Sequence, residues 1–293
     1  MAVETGAQKR RMQAQLHVHE HQAAYRRALM LSLPFAAALV ALAAWASTRT
    51  VTTGTIVLFD PAHLAFWLVG IALSVLAAAI TGRLALRARP DEAGLAPRRT
   101  APTLPTTGLL PAVTVFGAVL LISIYHNALL ILIAPLLFGP LLGAVLIARY
   151  HLEDESGQAR RLAGTAHVLL THGVAFLVLA TIYINKVRSL LSATTVAVIV
   201  CLLLVQIADG ERFPAERRLI YGLVGGMILG EITWALNYWP LTGWTGGAIL
   251  LIAFYLIAGL ILAQVRAGLR RRDILEYGII AAVAFAIVAL SLL

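Results

Sequence analysis

Apolar stretches of about 20 residues alternate along the chain with short polar segments rich in arginine. A helix needs about 20 residues to cross a hydrocarbon layer of about 30 Å, so each stretch has the length of one membrane span. The stretches are too long for membrane strands and lack their strict apolar-polar alternation. The pattern predicts an all-α polytopic bundle of about nine spans. These spans lie near 28–48, 62–82, 108–125, 127–148, 164–184, 189–207, 219–239, 245–265 and 274–293.

The polar segments define the rest of the organisation. Residues 1–27 are polar and basic, which predicts a cytoplasmic lead-in helix before a bundle formed by residues 28–293. Residues 87–107 form the longest internal loop, and their prolines predict an extended linker. Ala44, Trp45 and Ala46 resemble the cleavage site of a signal peptide. The long polar region before the first span instead favours a retained helix.

The basic residues indicate an orientation. Counted between successive spans, the Lys and Arg residues lie on one side of the bundle, except Arg49, Lys186 and Arg188. Because cytoplasmic loops are enriched in Lys and Arg, we expect a multi-pass plasma-membrane protein with a cytoplasmic N-terminus and an external C-terminus. The regular alternation also favours nine spans, since a missed helix would exchange the sides of every later loop.

Composition supports a membrane protein, with 60% hydrophobic and 13% charged residues. The net charge of +9 resides in short loops, where it anchors helices at anionic lipid headgroups, so we expect a lipid bilayer and no nucleic acid as partner. The single cysteine, Cys201, excludes an intrachain disulfide and a paired-thiolate metal site.

One carboxyl group interrupts the span at 219–239. Glu231 lies about 18 Å from the basic end of that span, slightly beyond the midplane. A carboxylate at membrane depth costs about 2.5 to 3.5 kcal/mol on insertion scales, so we expect other helices of this chain to shelter it. By depth, Tyr255 on the next span and His172 on the fifth span are its candidate partners.

Other polar and small residues share the helix of Glu231. Trp234 and Tyr238 follow Glu231 at i+3 and i+7 on one face, and Asn237 lies nearby. A separate surface of small residues suits close helix packing and consists of Gly222, Gly225, Gly226 and Gly230. The candidate ligand or proton site comprises Glu231, Trp234, Asn237, Tyr238, Tyr255 and His172. Glu231 is either a titrating group or a neutral side chain that ties helices together by hydrogen bonds.

Histidines provide weaker candidates for a metal or haem site. His167 and His172 point in different directions on one helix, which favours separate interhelical hydrogen bonds over a shared haem or metal. His17 and His21 in the segment HVHEH share a face at i+4, yet short His-rich tracts bind metals weakly. We therefore predict no metal site and no cofactor.

The fourth span contains Pro135, Gly139 and Pro140. Such residues interrupt the helices of many transporters, where the freed backbone lines a cavity. They also occur in uninterrupted membrane helices whose neighbours compensate the lost hydrogen bond.

Motifs of soluble enzymes are missing from the sequence. It contains no P-loop, GxGxxG, GxSxG or CxxCH, and no loop is long enough for a catalytic domain. We therefore expect no enzyme and assign no catalytic residue.

The stretch EITWALNYWPLTGWTGGAILLIAFYLIAGL, followed by RAGLRRRDILEYG, resembles part of an uncharacterised family of bacterial polytopic membrane proteins. The resemblance covers about the last quarter of the chain and implies no activity. It depends on Glu231, Trp234, Asn237, Trp239, Pro240, Tyr255 and Gly259.

Three functions fit these observations. The favoured one is a structural or accessory membrane component, with a membrane-protein partner and Glu231 as a neutral tie. The second is a small-solute or proton-coupled transporter, in which Glu231 titrates and the fourth span lines the path. The third, an enzyme acting on a lipid-linked substrate, lacks paired carboxylates or a nucleophile in the sequence.

Overall fold

The computed structural model describes residues 2–48, 61–87, 106–124, 128–153, 157–185, 189–208, 214–241 and 243–290. Within these ranges the regular structure is helical, which confirms the predicted all-α polytopic fold. The α-helices are α1 (Ala2–Thr48), α2 (Pro61–Arg87), α3 (Leu109–Ile124), α4 (Ala128–Glu153), α5 (Gly157–Asn185), α6 (Ser189–Ile207), α7 (Ala215–Asn237), α8 (Gly243–Ala267) and α9 (Arg271–Leu290). A short 3-10 helix, Thr106–Gly108, precedes α3.

Eight helices in the described ranges are long and apolar enough to cross a membrane. The other α-helix, α4, has a shorter apolar stretch, Leu136–Leu152, among its described side chains. The lead-in segment and the first span form one continuous helix, α1. Most of the predicted linker at 87–107 lies outside the described residues. The protein is thus a multi-pass membrane protein embedded in a lipid bilayer.

The centre of the bundle is formed by α3, α5 and α6. Their inward side chains, together with those of α8, build the largest apolar core, which includes the fully buried Leu179, Tyr183, Leu203 and Phe254. The other helices surround this centre, and α9 lies at the edge, where it packs mainly against α8. Outward-facing Leu, Ile and Val residues cover much of the surface, as expected where lipid replaces water as the solvent.

The helices α1 and α4 approach each other through small residues at four-residue spacing. A Cβ atom added at Gly139 would lie 3.2 Å from the Cβ of Ala36, and one added at Gly143 would lie 3.6 Å from the hydroxyl of Ser32. Small residues on both helices therefore allow close backbone approach without large side chains between them.

Of the two alternatives that Pro135, Gly139 and Pro140 left open, the structure shows the uninterrupted membrane helix. The helix α4 runs from Ala128 to Glu153 and includes both Pro135 and Pro140. A membrane helix tolerates proline where neighbouring helices hold the backbone in place. Here Gly139, next to Pro140, is buried against α1, which supports the helix at this point.

The helices α6 and α7 form the most extensive pair in the bundle. A row of glycines on α7, consisting of Gly222, Gly226 and Gly230, packs against Cys201, Ala197 and Ala193 of α6. A Cβ atom added at Gly230 would lie 3.0 Å from the carbonyl oxygen of Ala193, so the two backbones are almost in contact. This glycine ridge sets which face of α7 is turned inward.

Candidate functional site

The outward face of α7 carries a regular row of exposed side chains. They recur at alternating intervals of four and three residues, the spacing of a coiled-coil seam. We call this row the outer seam of α7, and it consists of Ile220, Val224, Met227, Glu231, Trp234 and Tyr238. Because each helical residue turns by about 100°, the centre of the seam lies about 120° around α7 from the centre of the glycine ridge.

Glu231 lies in the middle of the outer seam, and its side chain is exposed. It is about 140° around the helix from Gly226, which faces α6. The expectation that other helices of the same chain shelter this carboxyl group is therefore wrong. The physical reason is the glycine ridge, since close backbone packing on α6 leaves the neighbouring Glu231 pointing away from the bundle.

The polar groups near Glu231 belong to the same outward face. The indole Nε1 of Trp234 donates a hydrogen bond of 3.2 Å to the hydroxyl of Tyr238, one turn further along α7. Among the described residues, no hydrogen bond or ion pair reaches the Glu231 carboxyl group. The outward face of α7 is thus mainly apolar, and the carboxyl group of Glu231 lies at its centre without a hydrogen-bond partner among the described residues.

Asn237 lies on a different face of α7. Its Nδ2 donates a hydrogen bond of 2.7 Å to the hydroxyl of Ser192 at the start of α6. Asn237 therefore continues the contact made by the glycine ridge and does not contribute to the outer seam.

His172 and Tyr255 meet each other instead of Glu231. The ring of His172 on α5 lies 5.9 Å from that of Tyr255 and 5.2 Å from that of Phe254, both on α8. The Tyr255 ring in turn lies 5.7 Å from the ring of Tyr277 on α9. The depth matching of His172 and Tyr255 thus leads to a contact, and Glu231 takes no part in this aromatic cluster.

The polar atoms of His172 have distinct roles. Its Nδ1 lies 2.8 Å from the carbonyl oxygen of Val168, so Nδ1 carries the proton and donates. In the neutral ring Nε2 is then an acceptor, and this atom is buried without a hydrogen-bond partner in the described part of the chain. The nearby His167 is buried on α5, where its backbone carbonyl accepts a hydrogen bond of 2.8 Å from Thr171.

Tyr183 is a structural residue that the sequence analysis did not single out. Its fully buried hydroxyl donates a hydrogen bond of 2.8 Å to the carbonyl of Leu236, in the last turn of α7. Gly246 of α8 lies directly against its ring. The signal in the sequence was a tyrosine within an apolar run, because a buried phenol needs a hydrogen-bond partner.

The histidines of the segment HVHEH lie on α1, but their side chains are not among those described.

Comparison with known proteins gives a family and no activity. A family model described as protein of unknown function (DUF5656) matches residues 46–291. No curated protein and no solved structure matches the chain. The match extends far beyond the C-terminal quarter that residues 231–259 indicated, and it includes α2 to α9. The chain therefore belongs to the DUF5656 family of polytopic membrane proteins, whose function is unknown.

Proposed function

We propose that the protein is a non-enzymatic accessory component of the plasma membrane that assembles with another membrane protein through the outer seam of α7. The observation that supports this proposal is the exposed position of Glu231 at the centre of that seam. The proposal includes the orientation expected from the basic residues, with the N-terminus in the cytoplasm.

Lipid is a sufficient solvent for the other exposed residues of the seam but not for Glu231. Leu, Ile, Val and Met side chains are stable against acyl chains. A carboxyl group at the helix centre instead costs about 2.5 to 3.5 kcal/mol on insertion scales, because lipid tails offer it no hydrogen bond. A helix of another protein packed on the seam would remove Glu231 from lipid and satisfy its hydrogen bonds.

The geometry of the seam suits a helix as the partner. From Ile220 to Tyr238 the seam extends about 27 Å along α7, close to the thickness of the hydrocarbon layer. Alternating intervals of three and four residues are those at which two helices interlock their side chains. Trp234 and Tyr238 close the outer end of the seam with large side chains of mixed polarity, a type enriched in the core of protein interfaces.

A solute carrier is the second candidate, supported by the aromatic cluster of His172 and Tyr255. A buried acceptor atom beside a phenol could accept a hydrogen bond from a small polar solute between α5 and α8. The carrier hypothesis also used Glu231 as the titrating group and the fourth span as the lining of the path. Neither favours it now, since Glu231 faces outward and α4 is continuous. We therefore rank the accessory function first.

A photocrosslinking amino acid at position 227 tests the proposed function. Met227 lies in the outer seam and is 61% exposed, and Val75 on α2 has the same exposed fraction. In native membranes the probe at position 227 should form a discrete protein adduct of higher mass, whereas the probe at position 75 should react mainly with lipid. Equal protein adducts at both positions, or none at position 227, would contradict the proposal.

A further inference from the structure

We infer that the partner of the outer seam is the outer seam of a second copy of this chain, with Glu231 facing Glu231 across a two-fold axis. This inference rests on the proposed function and specifies its partner. It follows from the symmetry of insertion, the hydrogen-bonding capacity of a carboxylic acid, and the distribution of charge along the chain.

Membrane topology restricts how two copies can pair. Both copies insert with the same orientation, so a two-fold axis between them runs along the membrane normal. Such an interface is isologous, meaning that the same patch of each copy takes part. A seam located on one helix then meets itself in a parallel pair, and residues at the same depth face each other. Glu231 of one copy therefore meets Glu231 of the other.

A pair of neutral carboxylic acids satisfies its own hydrogen bonds. Each protonated carboxyl group has one O–H donor and an acceptor oxygen, so two facing groups can form two reciprocal hydrogen bonds. Hydrocarbon favours the neutral form of an acid, because an isolated ionised carboxylate is costly to transfer there. The pair therefore needs no cation and no further polar residue.

The charge distribution of the chain disfavours other arrangements of two copies. No Lys or Arg lies in the middle of an apolar stretch, so a second copy offers no cation at the depth of Glu231. The neighbouring seam positions, Met227 and Trp234, offer no carboxylate or amide either. Among the residues of the outer seam, the best complement for Glu231 at its own depth is therefore Glu231 itself.

The placement of Glu231 in the seam matches a known use of polar residues. In helix pairs with heptad spacing, one polar residue at a core position fixes the register and the number of helices, at a cost in stability. Glu231 is the only acidic residue of the seam, with apolar Val224 and Met227 on one side and Trp234 on the other. A shift by one turn would place each acid against an apolar side chain, so the pair of acids selects one register.

Cysteine crosslinking in the full-length protein tests the geometry. The single native Cys201 is first replaced by alanine, which continues the row of small residues on α6. Met227→Cys and Ile228→Cys are then compared in native membranes under mild oxidation. Both positions are exposed at the same depth, but only position 227 belongs to the seam. We expect a disulfide-linked dimer of two differently tagged copies with Met227→Cys and much less with Ile228→Cys.

Variants of Glu231 test the chemistry. Glu231→Gln retains a donor and an acceptor and should preserve co-purification of the two tagged copies. Glu231→Leu removes both the donor and the acceptor and should weaken self-association about threefold to twentyfold, the range measured for interhelical hydrogen bonds in membranes. Unchanged association of Glu231→Leu would overturn the inference, as would equal crosslinking at positions 227 and 228.

The inference and the proposed function fail in different ways. If the photocrosslinker at position 227 reacts with a different protein while tagged copies do not co-purify, the second copy is excluded and the accessory function stands. If position 227 yields no protein adduct and the copies do not co-purify, both are overturned. The side chain of Glu231 makes no hydrogen bond or ion pair with another helix among the described residues, so its variants should fold. Thermal unfolding of each purified protein checks this.

Discussion

Gly230 and Glu231 are adjacent in the sequence and face opposite surroundings. Gly230 packs against the backbone of Ala193 on α6, whereas Glu231 points away from the bundle. With Gly222 and Gly226, Gly230 allows the backbones of α6 and α7 to approach closely, and the next residue is left on the outward face. This relationship determines which residues of α7 stabilise the fold and which are available for binding.

Close packing of α6 and α7 should be sensitive to one added methyl group on the glycine ridge. In Gly226→Ala the new Cβ would overlap the carbonyl oxygen of Ala197 and lie 3.1 Å from the Cβ of Cys201, so the helices must separate. Overpacking of this kind costs about 1 to 3 kcal/mol. We expect a lower thermal unfolding temperature for the protein purified in detergent.

The same substitution on α9 is the control. A Cβ atom at Gly278 would meet no atom within 4 Å, and alanine favours helix formation more than glycine does. Gly278→Ala should therefore leave the unfolding temperature unchanged or raise it slightly. If both variants lose stability equally, the glycine ridge does not hold α6 and α7 in the manner described.

The fold could be predicted from the sequence because span length and the distribution of arginine are local signals. The outward position of Glu231 could not, although the sequence contained the relevant clue. The glycines at 222, 226 and 230 mark a surface for close packing, and Glu231 lies mostly on the other side of the helix. The cost of a carboxyl group in lipid predicts shelter within the bundle, whereas the glycine ridge determines which face of α7 packs inward.

The sequence does not show which helices lie side by side in the bundle. Depth counting placed His172 and Tyr255 near the same level, and the structure brings their rings together. Depth does not reveal which helices touch, so both were assigned to Glu231. The contact between α5 and α8 depends instead on Gly246 and Gly247, which allow α8 to approach Tyr183 and Ala180.

The hydrogen bond from Tyr183 to Leu236 should contribute measurably to stability. Tyr183→Phe keeps the buried ring and removes only the hydroxyl that donates to the last turn of α7. A hydrogen bond of this kind contributes about 0.5 to 1.5 kcal/mol. We expect a lower unfolding temperature than in the wild-type protein. Tyr277→Phe is the matched control, since its hydroxyl makes no hydrogen bond among the described residues, and an equal loss there would contradict this assignment.

The aromatic cluster around His172 should stabilise the contact between α5 and α8 mainly through its rings. His172→Phe keeps a ring against Phe254 and Tyr255, whereas His172→Ala removes both ring contacts. Aromatic pairs contribute about 0.5 to 1.5 kcal/mol each beyond burial, so His172→Ala should destabilise the protein more than His172→Phe does. Thermal unfolding in detergent measures the difference. Equal destabilisation by the two variants would instead point to the imidazole nitrogens as the stabilising groups.

Replacing Glu231 should affect insertion and assembly in opposite directions. Glu231→Leu removes a carboxyl group that costs about 2.5 to 3.5 kcal/mol at the helix centre, so α7 should insert more efficiently in a glycosylation-based insertion assay. Measured at a dilution where the copies are dissociated, the unfolding temperature should not fall, because this side chain has no hydrogen bond or ion pair within the described chain. A large drop in stability would mean that Glu231 holds this chain together after all. Better insertion combined with weaker assembly would instead mean that the cost of the carboxyl group is tolerated for the sake of binding a partner.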